Sequence, residues 1–189
     1  MEHEDRLYPT PDAFPEVEVI IQRDVLGGIA SLAREAGFPL VVHAAGGMGK
    51  TVLMQGLADR LRADGPVVLF DGFGAGRWRD PADGRHLPER TLVHLANLMA
   101  GQGLCDILLP LADVTGLLRA FRRRLAQSVE TARRTRSDAC VSLVLDAIDH
   151  AGLAAQDTAT SSFAHLLMRS ISVVPIDGVR IVASCRTER

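Results

Sequence analysis

The chain has 189 residues, 47% of them hydrophobic and 23% charged, which fits one domain with a continuous core and excludes disordered and fibrous classes. Its formal net charge of −2 gives no global attraction to nucleic acid or anionic lipid. The cations are almost all arginine: of 21 Lys and Arg residues, Lys50 is the only lysine.

In chain order, residues 1–18 carry Pro9, Pro11 and Pro15 among acids and read as an arm or linker. Residues 24–36 repeat Leu26, Ile29, Ala30, Leu32 and Ala33 at helical spacing and stop at Gly37. Residues 39–43 form a short buried-type strand, a Gly-rich turn follows, and 50–63 is amphipathic through Leu53, Leu57 and Leu61. Residues 67–70 are a second strand, followed by a loop over 71–87 with Gly, Arg, Asp and the sole tryptophan, Trp78. Packing of Trp78 is expected to order that loop beside the active-site rim. Helical patterns cover 89–101 and 113–135, then come a strand at 141–145, a loop, a helix at 158–171 and a strand at 180–184. Short apolar strands alternating with helices predict an α/β fold, a parallel sheet covered on both faces.

No apolar run approaches the roughly 20 residues needed to span a bilayer, and the charged start Met1-Glu2-His3-Glu4-Asp5-Arg6 lacks a signal-peptide core. Cys105, Cys140 and Cys185 are too scattered for a zinc site or a disulfide framework. They are expected to be reduced, mostly buried thiols in a cytoplasmic protein. The chain stops at Thr187-Glu188-Arg189 directly after an apparent strand, which reads as a fragment of something longer.

The run Ala44-Ala45-Gly46-Gly47-Met48-Gly49-Lys50-Thr51 sits between a strand and a helix, the setting of a phosphate-binding loop. Glycines let successive N–H groups turn inward round a β-phosphate, and the helix N-terminus adds a favourable dipole. Lys50 can then reach the β- and γ-phosphates, and Thr51 can ligate Mg²⁺. The expected ATP-binding residues are Ala45, Gly46, Gly47, Met48, Gly49, Lys50, Thr51 and Val52. A second apolar strand, Val141–Leu145, ends in Asp146, placed to deliver a carboxylate to the metal. Asp149, three residues on, is placed to orient or deprotonate the attacking water, while His150 reads as a solvated loop histidine. Ser184 and Arg186 leave the last strand on the side where parallel sheets bind ligands, and Arg186 suits a γ-phosphate.

These motifs resemble the STAND class of P-loop NTPases, its NACHT-like and prokaryotic antiviral members, over residues 19–189. The Gly46–Thr51 loop is similar to the GGxGKT run favoured there. Asp146-Ala147-Ile148-Asp149-His150 is similar to an extended Walker B segment, with His150 where a further acid is common. Ala183-Ser184-Cys185-Arg186 resembles a sensor strand whose arginine contacts the γ-phosphate, and Val19-Ile20-Ile21-Gln22-Arg23 resembles the base-side segment, giving Arg23 to the nucleotide. The resemblance implies a three-layer α/β/α P-loop fold of ASCE-type order, C-terminally incomplete, with residues 180–184 inserted between the loop strand and the Walker B strand. It also implies an ATP- and Mg²⁺-dependent switch of low turnover in signalling or antiviral defence. Self-association, a trigger and an effector would belong to the full-length protein.

Two other functions fit the same loop: a small-molecule kinase with its acceptor near residues 71–87, or a nucleotide-binding scaffold with negligible turnover. The usual guanine-reading Asn-Lys-x-Asp motif is excluded, because Asn97 is the only asparagine and Lys50 the only lysine. Arg119, Arg122, Arg123, Arg124, Arg133 and Arg134 gather on the 113–135 helix, with Arg136 just past its end. They read as a solvated face, since acids elsewhere balance them, and a nucleic-acid partner has no further support.

Overall fold

The computed structural model of the chain describes residues 4–10, 14 and 25–187. Its elements are α1 (Glu4–Leu7), α2 (Val25–Glu35), β1 (Leu40–Ala44), α3 (Lys50–Leu61), β2 (Val67–Asp71), α4 (Pro88–Gly101), α5 (Val114–Thr135), β3 (Val141–Asp146), α6 (Asp149–Asp157), α7 (Phe163–Val173) and β4 (Val179–Arg186). The strands form one all-parallel sheet in the order β1-β4-β3-β2. The last strand is therefore inserted between β1 and β3, where residues 180–184 were expected. Val19–Arg23, including the base-side assignment of Arg23, lies outside the described residues.

Alternation along each strand decides which face a side chain joins. Val68, Phe70, Leu143, Leu145, Ile181 and Ala183 pack with Leu95 of α4, Phe121 and Leu125 of α5, and Phe163 of α7. Val67, Val144 and Val182 point the other way and meet Ala30 of α2 with Met54, Leu57 and Leu61 of α3. Helices on both faces explain why β3 reads as an apolar run and is buried at every position. Continued past the apolar residues, the alternation sends Asp146, Ser184 and Arg186 towards the α3 face.

Two predicted boundaries change. The stretch after β3, expected as a loop, contains α6, and the helix expected from residue 158 begins at Phe163. Helix α6 buries Ala151, Ala154 and Ala155, a helical stripe of small residues that a search for large apolar side chains passes over. Thr158 closes that helix, its hydroxyl donating to the Ala154 carbonyl at 2.7 Å, and Ala159 takes a left-handed φ of 53°, so one continuous helix is interrupted. The three thiols are half-buried instead of mostly buried.

The arginines of α5 are not all solvated. Arg122 donates to the Ser170 and Val174 carbonyls at 3.1 and 2.7 Å, bracing the end of α7. Arg124 donates to the Ile107 carbonyl at 3.0 Å, and Arg133 meets Asp177 at 2.8 Å. Asp113 starts the helix by accepting from the N–H groups of Thr115 and Gly116 at 3.0 and 2.8 Å. At the other end of the chain, Asn97 of α4 donates to the Leu7 carbonyl at 2.8 Å and so ties α1 down. No helix among the described residues is long and apolar enough to cross a membrane.

Candidate functional site

The carboxyl ends of the four strands frame a cleft of about 480 Å³. Gly46, Gly47, Gly49, Lys50 and Thr51 line one side, and Asp71, Phe73, Ala75, Asp146, Ala147, Asp149, His150 and Arg186 line the rest. Most of the expected residues therefore converge, although they come from the β1–α3 loop, α3, β3, α6 and β4. Ala45, Met48 and Val52 belong to the same loop and helix but lie outside this lining, and Met48 is exposed at the crest.

The loop between β1 and α3 owes its shape to glycine. Gly47 and Gly49 adopt φ of 74° and 75°, which L side chains rarely take, and Gly49 is the residue from which α3 starts. A Cβ at Gly46 or Gly47 would meet nothing within 4 Å, so it would project into open space in the loop. Lys50 folds back over this loop and donates to the Ala44 and Ala45 carbonyls, both at 2.8 Å. An ammonium carries three donors, so these two bonds leave a third for a ligand.

At the foot of the loop, Thr51 Oγ1 donates to Asp146 Oδ2 at 2.6 Å. Ser184 Oγ donates to Asp146 Oδ1, and the same hydroxyl accepts from the Ala147 N–H at 2.9 Å. Asp146 is 1% exposed and Ser184 wholly buried, so both carboxylate oxygens are held in fixed directions. The chain then turns sharply. Ala147 has a left-handed φ of 53°, and the Ile148 N–H donates to the Ser184 carbonyl at 3.0 Å. Asp149 follows as the first residue of α6, with its side chain 14% exposed.

His150 corrects the expectation of a solvated loop histidine. It is 2% exposed, with its ring 5.1 Å from Phe73 and 4.7 Å, edge-on, from Trp78. Trp78 is also buried, and it lies in a 3-10 segment, Gly74–Arg79, within the expected 71–87 loop. The expected ordering of that loop by Trp78 is thus found, and its partner on the cleft side is the histidine.

Asp71 stands opposite Asp146 in the β2–β3 register and lines the cleft. Its carboxylate accepts from the N–H groups of Phe73 and Gly74 at 2.8 and 2.9 Å. Burial pushes its pKa up, the neighbouring Asp146 charge adds to the rise, and the two N–H donors oppose it. Beneath the loop, Arg85 is 1% exposed and forks onto Asp83 at 2.7 Å from both Nε and Nη2, while Nη1 donates to the Asp71 carbonyl at 2.6 Å. Nothing in a Gly- and Arg-rich segment singles out Arg85 as the buried one. The closest local signal is Asp83, two residues before it. Burial also raises the pKa of Cys185, which Asp149 reinforces and Lys50 opposes.

Chemically, the cleft offers a glycine loop at a helix N-terminus, one ammonium, one guanidinium and hard oxygen donors. That combination suits phosphate with a divalent cation. No protein-family model matches the chain, and no curated protein matches it.

Proposed function

We propose that the chain is the nucleotide-binding core of a STAND-type switch that binds ATP with Mg²⁺ and hydrolyses it slowly, its nucleotide state controlling assembly of a larger protein. The observation that carries this reading is the Thr51–Asp146–Ser184 oxygen cluster at the foot of a lysine-bearing glycine loop, with Asp149 and Arg186 on the same cleft.

Phosphates in the loop would lie against the N-terminus of α3, where the helix dipole favours negative charge. Thr51 and Asp146 would hold the cation. Among the described residues no three His, Cys, Asp or Glu side chains gather into a metal cage. Mg²⁺ usually takes one or two protein oxygens and completes its shell with phosphate and water, so Thr51 and Asp146 would suffice on the protein side. When bound, Mg²⁺ would neutralise charge on the β- and γ-phosphate oxygens.

Asp149 is the group positioned to take the proton of the attacking water. The water oxygen bonds to the γ-phosphorus, and the bond from that phosphorus to the β–γ bridging oxygen breaks, its electrons leaving with ADP. The released proton passes to the Asp149 carboxylate. Arg186 offers a planar donor fork to the γ-phosphate oxygens. Loss of the γ-phosphate contacts would then free the segments that Lys50 and Arg186 hold.

Lys50→Ala is expected to abolish ATP binding in titration calorimetry. Asp149→Asn is expected to keep binding and slow phosphate release by about a hundredfold. Unchanged ATP affinity in Lys50→Ala overturns the reading. A phosphorylated small molecule in place of free phosphate would move it to the kinase alternative, and binding with no release at all to the scaffold alternative.

A further inference from the structure

The turn that carries Asp149 is short. Only Ala147 and Ile148 separate it from Asp146, and β4 anchors its first half through the Ala147 and Ile148 N–H groups. Its second half is closed by His150. The His150 backbone N–H and ring Nδ1 both lie 3.2 Å from the Ala147 carbonyl, and the same Nδ1 is 3.6 Å from Asp149 Oδ1. A carbonyl accepts only, so this contact requires Nδ1 to carry the proton. Phe73 and Trp78 hold the ring on the segment after β2, and Asp71 in turn fixes that segment by accepting from the Phe73 and Gly74 N–H groups.

We infer that His150 is a positioning residue for hydrolysis: its Nδ1–H, clipped to the Ala147 carbonyl 3.6 Å from Asp149 Oδ1, closes the turn and so sets the orientation of the Asp149 carboxylate relative to the metal-side Asp146. This deepens the ATPase reading and rests on it. A base within reach of a bound water loses much of its effect when displaced by an ångström, whereas ATP affinity, set by the loop and Lys50, is unaffected.

The ring and the donor can be tested separately. His150→Asn keeps a donor near the Nδ1 position and gives up the aromatic packing. His150→Phe keeps the packing and gives up the donor. A positioning role predicts that His150→Asn retains most of the wild-type kcat, while His150→Phe loses about tenfold with KM for ATP unchanged. A role in packing alone predicts the reverse order, with His150→Phe near wild type, and overturns the proposal. Thermal melts identify a variant that fails to fold. If His150→Asn does so, His150→Phe decides alone: wild-type kcat overturns the proposal, and a tenfold loss at unchanged KM supports it. Hydrolysis by wild type with both variants equal to it refutes the positioning role and leaves the ATPase reading intact. No hydrolysis by wild type refutes both.

Discussion

Thr51 Oγ1 and Asp146 Oδ2 are 2.6 Å apart although 95 residues separate them in the chain. The contact joins the first turn of α3 to the end of β3, and it places the two proposed metal ligands at one point. Removing the Thr51 hydroxyl tests it.

Thr51→Ala is expected to reduce the gain in ATP affinity that Mg²⁺ provides by about ten- to a hundredfold, since losing an oxygen partner of a charged group costs about 1.5–3 kcal/mol. Calorimetric titrations with Mg²⁺ and with a chelator give that gain directly. An equal gain in the variant and the wild type would remove Thr51 from the metal site.

Ser184→Ala deletes a buried hydroxyl that serves both Asp146 Oδ1 and the Ala147 N–H. The variant leaves two buried polar groups short of a partner, a cost of about 1–3 kcal/mol in urea unfolding. ATP turnover should fall with it, because the carboxylate loses one of the two bonds that fix its direction. A stability within 0.5 kcal/mol or so of wild type would mean that water replaces the hydroxyl.

Arg85 binds the loop after β2 from below, and Gly74 leaves room for it. A Cβ at Gly74 would overlap the Arg85 guanidinium, and Gly74 also has a left-handed φ of 58°. Arg85→Ala removes both guanidinium bonds to the Asp83 carboxylate, whose side chain is 4% exposed, and leaves it the residue 85 N–H at 3.2 Å and Arg77 at 3.8 Å, so it should destabilise the fold by about 2–4 kcal/mol. Gly74→Ala is expected to displace the same segment. Trp78 emission reports it: a red shift means the segment has opened, and unchanged emission in both variants would refute the dependence.

His94 is 2% exposed, packed against Tyr8 and Phe70, and burial lowers its pKa to about 4. In the unfolded chain its pKa is near the ordinary 6.5, so between these values only the unfolded state takes up the proton. Stability is therefore retained above pH 6.5 and lost as pH falls towards 4. The loss attributable to His94 between pH 7 and pH 5 is about 2 kcal/mol. His94→Phe should flatten the dependence of the urea midpoint over that window, and an unchanged slope would exclude His94 as its source.

The amino-acid sequence by itself determined the strands, the glycine loop with its one lysine, and the acid at the end of β3. These follow from local rules: apolar runs bounded by turn residues, glycine where φ is positive, and strict alternation along a strand. Asp146 and Arg186 join the α3 face because that alternation runs uninterrupted from Val144 and Val182. The tertiary structure alone decided which polar groups are buried together. Helix α6 was obscured because its stripe is alanine, and His150 looked solvated because the aromatic rings that enclose it come from a segment some 70 residues earlier. Arg85 is buried for a similar reason, since its place depends on space beneath Asp71 and Gly74 that no local pattern encodes. Burial of a charged or titratable side chain depends on what other segments bring to it, and that is settled only when the sheet closes and the loop after β2 packs against α6.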